Sequence, residues 1–270
     1  MVKRRSEERG RLSAYSGPLY AALRASADKA GTLLGAVGIF LAAGLVVAAL
    51  GTWIFVELAE HVQMGASQAF DDAVLRWLGA HHSSAWDNIM LEITALGTGT
   101  VVMMIVAVAA LFLVLTQHKY SAMLLLISTF GGLVLNLVLK LGFNRPRPAI
   151  FVPEVRAVSS SFPSGHAMSA AIVYGTVAYL AARLHRRAWA RALVMLVAMI
   201  VILLICISRL YLGVHYPSDV VAGVVIGLAW AGFCMATLEA IQKFGARHDP
   251  KILESEKPAA GGGPLAESES

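Results

Sequence analysis

The stretch SRLYLGVHYPSD, from Ser208 to Asp219, joins two long apolar segments of the chain. It carries an arginine, a histidine and a carboxylate, namely Arg209, His215 and Asp219. Ionisable residues beside the hydrocarbon core of a bilayer are costly, and in membrane proteins they usually serve a function. The stretch therefore predicts both a turn between two membrane spans and part of a functional site.

The composition places the surrounding chain in a membrane. Hydrophobic residues make up 57% of the 270 residues, charged residues only 14%, and the mean hydropathy is +0.68. Several apolar segments are long enough to cross a bilayer and are apolar all round, unlike the one-sided helices of soluble proteins. We predict an all-α polytopic membrane protein whose spans lie near residues 33–56, 93–115, 121–141, 167–184, 193–207 and 220–241.

Three parts of the chain follow from this count. Residues 1–30 form a basic cytoplasmic tail, residues 31–242 a six-helix membrane domain, and residues 243–270 a Gly/Pro/Ser-rich cytoplasmic tail that we expect to be disordered. Inside the membrane domain, the mixed outer loop 57–91 has apolar residues at helical spacing: Phe70, Val74, Trp77 and Leu78. This spacing predicts either a short helix on the membrane surface or a cap packed on the protein.

The two cysteines, Cys206 and Cys234, are too few for a disulfide framework. We expect both to be small buried hydrophobic residues.

Lysine and arginine positions predict the orientation. The two tails and the short loops 116–120 and 183–191 contain sixteen of the 22 basic residues. The positive-inside rule then places both termini in the cytoplasm. The other face has six: Arg76, Lys140, Arg145, Arg147, Arg156 and Arg209. The net charge of +5 thus reflects loop topology, and no basic stripe with aromatic partners indicates nucleic-acid binding.

With this orientation, three polar stretches meet at the outer face. KLGFNRPRP (140–148) follows the third span, SFPSGH (161–166) opens the fourth, and 208–219 joins the fifth to the sixth. Four helix ends that converge on one place predict a pocket at the level of the lipid headgroups.

The residue types in this pocket suit a phosphate group. Arginine forks, here Arg145, Arg147 and Arg209, bind phosphate oxygens in pairs, and Lys140 adds a point charge. Pro163-Ser164-Gly165 is typical of a helix start, where free backbone N–H groups bind anions. No cluster of His, Cys and carboxylates has metal-ligand spacing, so we expect neither a metal nor a cofactor.

Two histidines and a carboxylate complete the pattern. Asp219 follows His215 by four residues, about one helical turn, and so can hold one ring nitrogen while the other attacks phosphorus. His166 begins a different helix and is placed to protonate a leaving oxygen.

Each of these residues also has an ordinary structural interpretation. Lys140 can extend to the interface from a helix end, Arg145 and Arg147 can flank a span, and Ser218 or Asp219 can cap the sixth helix. His215 alone can be an interfacial polar residue, and we assign structural roles to His61, His81 and His82. The three stretches together favour a functional site, because it is improbable that so many ionisable residues would meet at one place by chance.

The three stretches resemble the tripartite signature of the type 2 phosphatidic acid phosphatase (PAP2) superfamily of membrane lipid phosphatases. Its first part, Lys-x6-Arg-Pro, is similar to Lys140, Arg147 and Pro148, and its second to Pro163–His166. Its third part, Ser-Arg-x5-His-x3-Asp, matches Ser208, Arg209, His215 and Asp219. The resemblance covers spans three to six, and residues 1–90 and the C-terminal tail carry none of it.

The resemblance implies a six-helix bundle that hydrolyses phosphomonoesters or pyrophosphates without a metal. It implies that His215 forms a phosphohistidine, Asp219 assists it and His166 protonates the leaving group. Phosphate would be held by Lys140, Arg147, Ser164, Gly165 and Arg209, while Arg145 and Ser208 support the site.

The expected partner is a membrane lipid phosphate at the outer leaflet of a cell membrane, such as undecaprenyl pyrophosphate, phosphatidic acid or phosphatidylglycerophosphate. Phosphoryl transfer between lipids, through the same intermediate, is an alternative, and so is a non-catalytic binder or transporter of lipid phosphates. The sequence does not distinguish monophosphate from pyrophosphate and leaves the oligomeric state open.

Overall fold

A computed structural model describes residues 35, 37–149 and 160–248, without the side chains of 243–248. The basic tail 1–30 and residues 249–270 of the C-terminal tail lie outside this range, as do Arg156 and its neighbours. The described chain forms eight helices and no strand. They are α1 (Val37–Gln63), α2 (Gln68–Ala80), α3 (Ser84–Ala95), α4 (Gly99–Leu115), α5 (Lys119–Gly142), α6 (Gly165–Leu184), α7 (Ala188–Tyr211) and α8 (Pro217–His248).

Five of these helices are long and apolar enough to cross a membrane: α1, α5, α6, α7 and α8. The helices α3 and α4 pass the same test together, with a bend of 45° between them. Counted as one broken span, this pair brings the number to six, and the predicted all-α polytopic fold is confirmed. Each span extends beyond its predicted limits at one end or at both, because the helix ends include polar residues.

The prediction for residues 57–91 was wrong in its boundaries. Helix α1 continues through Glu57 and Glu60 to Gln63, because no glycine or proline interrupts it before Gly65, which has a positive φ of 72°. Two helices, α2 and α3, then take the place of most of the expected loop.

Helix α2 combines the two interpretations that the sequence left open. Phe70 and Trp77 are 66% and 62% exposed, as expected of residues at a membrane surface. The opposite face of the helix buries Asp71 and Leu75 completely against the protein. The helix therefore caps the bundle and presents an aromatic face outward.

The most buried span is α6, which lies between α5, α7 and α8. Its contact with α8 is close because Gly223 and Gly227, one turn apart on α8, face its first turns. Small residues spaced by four let membrane helices approach to backbone contact. The packing holds the beginning of α6 against the beginning of α8.

The far end of the same pair is held by polar contacts. Tyr179 on α6 donates to Glu239 on α8, and the guanidinium of Arg183 donates to Gln242 at 2.6 Å and lies 3.3 Å from Glu239. Helices α6 and α8 are thus joined at both ends, by backbone contact at one and by side chains at the other.

Large apolar side chains are exposed along the outer helices, as expected of surfaces that face lipid; examples are Leu45, Val108 and Leu196. Cys206 and Cys234 are buried and unpaired, which confirms their prediction.

Candidate active site

The three predicted stretches meet at one end of the bundle, which we call the site end. The backbone N–H of Ser164 donates to the carbonyl of Asp219 at 3.0 Å, and the N–H of Ser161 donates to the carbonyl of Arg145 at 2.9 Å. Arg147 donates to the carbonyl of Val214 at 2.8 Å. These bonds link each stretch to at least one of the others, as the sequence predicted.

The PSGH segment begins a helix as expected. Ser164 is the N-cap residue of α6 and has an extended backbone, and Gly165 is its first helical residue. A Cβ on Gly165 would lie 3.1 Å from the amide nitrogen of Asn136, so a side chain there would crowd α5. The free N–H groups of this first turn point to the site end, where they suit an anion.

His215 lies just before α8 and is only 2% exposed. Its Nε2 is 3.3 Å from Nη1 of Arg147, whereas its Nδ1 lies 3.6 Å from Oδ2 of Asp219 and 3.5 Å from the hydroxyl of Ser161. The ring thus presents one nitrogen to a cation and the other to a carboxylate. The distance to Asp219 is longer than a hydrogen bond, so in this geometry their attraction is electrostatic.

Burial lowers the pKa of His215 to about 4, assisted by the charges of Arg147 and Arg209 and opposed by Asp219. The imidazole is therefore neutral near pH 7, as a nucleophile requires.

Asp219 is fully buried at the start of α8 and accepts hydrogen bonds from three donors. Its Oδ2 accepts from the Ser161 hydroxyl and from the N–H of Tyr216 at 2.9 Å, while Oδ1 accepts from Arg145 at 2.6 Å. The bond from the Tyr216 N–H caps the beginning of α8. Asp219 therefore caps this helix, one of the ordinary roles considered above, and also lies beside His215. Proline at the first helical position, Pro217, sets this geometry.

Arg145 contacts carboxylates on both sides. Its Nη2 donates to Asp71 at 2.8 Å, its Nη1 to Asp219 at 2.6 Å, and its guanidinium lies 4.1 Å from the centroid of the Tyr216 ring. Burial alone would lower the pKa of Arg145, but Asp219 and Asp71 outweigh it and raise the pKa above its usual range. The sequence predicted a supporting role for Arg145. In the structure its guanidinium donates to two protein carboxylates, those of Asp71 and Asp219.

The remaining cations lie near one another at the site end, and Arg147 is the one in contact with Nε2 of His215. Arg209 is 4% exposed and donates from Nη1 to the Thr94 hydroxyl at 2.8 Å. Burial lowers the pKa of Arg147, and Asp219 partly offsets this. Lys140, in the last turn of α5, lies close enough to Arg147 and Arg209 to be repelled by both charges. Three like charges this close together, one of them buried, repel one another, and an anion between them would offset the repulsion.

Two buried donors within this group have no hydrogen-bond partner in the described part of the chain: Ser164 Oγ and Arg209 Nε. Buried donors without acceptors are rare and costly, and they often mark a ligand site. An oxyanion between α6 and α7 would satisfy both.

His166 is half-buried in the first turn of α6 and makes no hydrogen bond to the described residues. The charges of Arg209, His215, Lys140 and Arg147 all act on it, so it faces the same pocket. Gly97, at the break between α3 and α4, lies against its ring, where a Cβ would come within 3.0 Å of Cδ2.

Several residues lie outside this arrangement. Ser208 donates to the carbonyl of Ile205 at 2.7 Å and so supports the last turn of α7. The rings of His61 and His81 bond to carbonyls of their own helices, and His82 bonds to the carbonyl of Tyr211 at 2.7 Å. Among the described residues, no three His, Cys, Asp or Glu side chains are close enough to hold a metal ion.

Polar residues outside the signature also contact the site, among them Asp71, Thr94 and Ser161. Ser161 stands two residues before the PSGH segment and was quoted with it. Asp71 and Thr94 come from α2 and α3. The sequence offered one indication of Asp71: its carboxylate lies one helical turn before the apolar Leu75, and therefore on the same face of α2.

Known proteins are similar to this chain in sequence and in fold. The model of the PAP2 superfamily matches residues 121–243. Phosphatidylglycerophosphatase B of Bacillus subtilis is 33% identical over 175 residues, which cover 64% of this chain and 86% of that protein. Undecaprenyl-diphosphatase BcrC of the same organism is 30% identical over 160 residues, covering 55% and 73%. An undecaprenyl-diphosphatase of Sulfolobus acidocaldarius is 32% identical over 139 residues, covering 50% and 63%.

The crystal structure of a transmembrane PAP2-type phosphatidylglycerolphosphate phosphatase from Bacillus subtilis superposes with a TM-score of 0.68 at 30% identity. It covers 72% of this chain and 96% of the other. The sequence match, the fold and the assembled signature agree. The chain belongs to the PAP2 superfamily and is one of its membrane lipid phosphatases.

Proposed function

We propose that the chain removes the terminal phosphate of a lipid phosphate or pyrophosphate in two displacements at His215, on the outer leaflet of the membrane. The observation that carries the proposal is the orientation of the His215 ring. Its Nε2 lies beside Arg147 and its Nδ1 beside Asp219 and Ser161. A neutral ring in this position has its attacking nitrogen among the cations that would hold a phosphate.

In the first step, His215 Nε2 attacks phosphorus and the bond from phosphorus to the leaving oxygen breaks. His166 gives its proton to that oxygen, and the dephosphorylated lipid leaves. Lys140, Arg147 and Arg209 bind the phosphate oxygens together with Ser164 and the N–H of Gly165. Asp219 stabilises the positive charge that forms on the phosphorylated ring.

In the second step, a water molecule attacks phosphorus and gives a proton to His166, which is now a base. The bond from Nε2 to phosphorus breaks, inorganic phosphate leaves, and His215 returns to its neutral form. This cycle restores both histidines. It needs no metal, because three cations and a helix start already offset the charge of the phosphate.

A groove between α1, α5 and α8 supports a lipid as the substrate. This cavity of about 630 Å³ has an apolar lining that includes Ala48, Thr52, Ala229 and Phe143. Phe143 also borders a cavity of about 510 Å³ at the site end, which is lined by Gln63, Asn144 and Arg145. We infer that the hydrocarbon tail occupies the first cavity and that the headgroup reaches the site past Phe143.

The basic residues support the orientation. Arg186, Arg187 and Arg191 are exposed in or just after the loop between α6 and α7, whereas the site end has one exposed basic residue among the described ones, Arg76. The positive-inside rule then puts the site on the outer side and both termini in the cytoplasm.

Trapping of the intermediate tests the mechanism. Purified protein in nanodiscs is mixed with 32P-labelled lipid phosphate and quenched in alkali, because phosphohistidine is stable there and labile in acid. We expect wild type to be labelled and His215→Ala to be unlabelled. Labelling of His215→Ala, or activity that EDTA abolishes and a divalent ion restores, would overturn the proposal.

The leaving group tests His166. We expect His166→Ala to lose most turnover of a lipid phosphate, whose alkoxide needs a proton, and to keep more activity on an aryl phosphate. Equal losses on both substrates would contradict its role as the acid. A panel of undecaprenyl pyrophosphate, phosphatidic acid and phosphatidylglycerophosphate then identifies the substrate, and an added lipid acceptor separates hydrolysis from transfer.

A further inference from the structure

Asp71, on the short helix α2, is a fully buried carboxylate outside the signature. Its Oδ1 accepts from the backbone N–H of Ser218 at 3.0 Å. Its Oδ2 accepts from the Ser218 hydroxyl at 2.5 Å and from Nη2 of Arg145 at 2.8 Å. A helix that caps the bundle thus reaches the residue immediately before Asp219.

The guanidinium of Arg145 lies between this carboxylate and that of Asp219. Nη1 donates to Asp219 at 2.6 Å and to the Ser218 hydroxyl at 2.8 Å, and Nη2 also donates to Gln68 at 3.1 Å. The side chain is 10% exposed, and both carboxylates are completely buried. Asp71, Arg145, Ser218 and Asp219 therefore form one continuous hydrogen-bonded network.

The charges in this network explain why two carboxylates share one arginine. One cation and two carboxylates leave one net negative charge beside His215. In the proposed first step, the His215 ring becomes positive when phosphorus binds Nε2 and Nδ1 keeps its proton. If Arg145 were balanced by Asp219 alone, the network would be neutral and would stabilise that cation less.

We propose that Asp71 is a positioning residue of the reaction, which holds Asp219 beside His215 through Arg145 and Ser218 and preserves the negative charge there. The inference rests on the roles proposed above for His215 and Asp219. It makes α2 part of the active site, in addition to its place at the membrane surface.

A purely structural role for Asp71 predicts a different result. Loss of an anchor would reduce the amount of folded protein, whereas the rate constant of the remaining folded molecules would not change. A positioning role lowers the rate constant of phosphoenzyme formation itself and leaves KM nearly constant, because neither Asp71 nor Arg145 is assigned to the phosphate.

Rapid-quench measurement of phosphoenzyme formation on Asp71→Asn separates these outcomes. Asparagine keeps the size and one acceptor but removes the charge. We expect the rate constant to fall about 10- to 100-fold, the usual cost of losing one charge-assisted contact, with KM within about twofold. The matched control is Asp72→Asn on the same helix, whose carboxylate accepts from Gln68 at 2.7 Å and which should stay within about twofold of wild type.

A second comparison uses Arg145→Gln alone and together with Asp71→Asn. Arg145→Gln leaves two buried carboxylates without their cation, so the double variant should form phosphoenzyme faster than Arg145→Gln. This comparison stands even when Asp71→Asn alone fails to fold.

The proposal on Asp71 is overturned if Asp71→Asn has the wild-type rate constant, or if the double variant is no faster than Arg145→Gln. Absence of labelled phosphoenzyme in wild type would instead overturn the proposed function of His215, so the two failures are distinct.

Discussion

Gly223 on α8 faces the carbonyl oxygen of Ser164, the N-cap residue of α6. A Cβ on Gly223 would lie 2.6 Å from this oxygen and 3.3 Å from the backbone nitrogen of Met168. Both of those atoms belong to backbone, which cannot rotate away as a flexible side chain can. The distance between the two helices at the site is therefore set by the absence of a side chain.

We expect Gly223→Ala to displace the beginning of α6 and with it Ser164, Gly165 and His166. Overpacking of this kind costs about 1–3 kcal/mol, and a shift near 1 Å in a site can cost about 100-fold in rate. Phosphate release and the melting temperature in detergent measure the two effects. The control is Gly175→Ala on α6, where a Cβ would meet nothing within 4 Å. Equal activity of the two variants would contradict the prediction.

Arg209 tests the guanidinium fork. Arg209→Lys keeps the charge but loses the planar donors, one of which bonds to Thr94 at 2.8 Å while Nε has no partner among the described residues. We expect loss of about 2–4 kcal/mol of transition-state stabilisation, or roughly 30- to 1,000-fold in kcat/KM. The variant Thr94→Val, which only frees Nη1, should lose less. Near wild-type activity of Arg209→Lys would instead indicate that Arg209 only flanks the membrane span and does not bind the phosphate.

The protonation of His215 gives a prediction for acid pH. Burial lowers its pKa to about 4, so the ring of the proposed nucleophile is mostly neutral above that pH and mostly protonated, and unreactive, below it. An ordinary histidine would lose its nucleophilic form near pH 6.5. NMR titration of histidine-labelled protein, with His215→Asn to assign the signal, should give a midpoint near 4 in the free enzyme. A midpoint at 6.5 or above would contradict this.

The groove that we propose for the lipid tail can be filled by a substitution that changes no residue of the signature. Ala48 lines the cavity between α1, α5 and α8. We expect Ala48→Trp to lower kcat/KM for a long-chain lipid phosphate at least about tenfold, the effect of more than 1.4 kcal/mol, and to spare a short water-soluble phosphate ester. Val108→Trp on α4, at a position 65% exposed, is the control and should spare both. Equal losses on the two substrates would indicate damage to the fold.

Cysteine labelling tests the orientation. Ser84 lies beside the site end and Ala188 at the opposite end, both are exposed, and the native cysteines are buried. An impermeant thiol reagent should label Ser84→Cys in intact cells and should label Ala188→Cys only after permeabilisation. The reverse pattern would put the site on the cytoplasmic face.

The sequence predicted which residues lie together at the site end better than which residues hold them in place. Arg209, His215 and Asp219 are close in the sequence and lie at or beside the turn between α7 and α8, so their spacing alone predicts that they lie near one another. Asp71 and Thr94 are 147 and 115 positions from their partners Ser218 and Arg209, and no local pattern encodes such contacts. The apolar spacing in α2 also failed to indicate its buried face. Phe70 and Trp77, which belong to that pattern, face outward, whereas the buried face contains Asp71 and Leu75.

The two attachments between α6 and α8 have a mechanical consequence. His166 is on one of these helices and Asp219 on the other, and the pair is fixed by backbone contact at one end and by Arg183, Glu239 and Gln242 at the other. Changes in bilayer thickness are accommodated by helix tilt. A pair joined at both ends tilts as one body, so we expect the distance between His166 and Asp219 to stay constant when the thickness of the membrane changes.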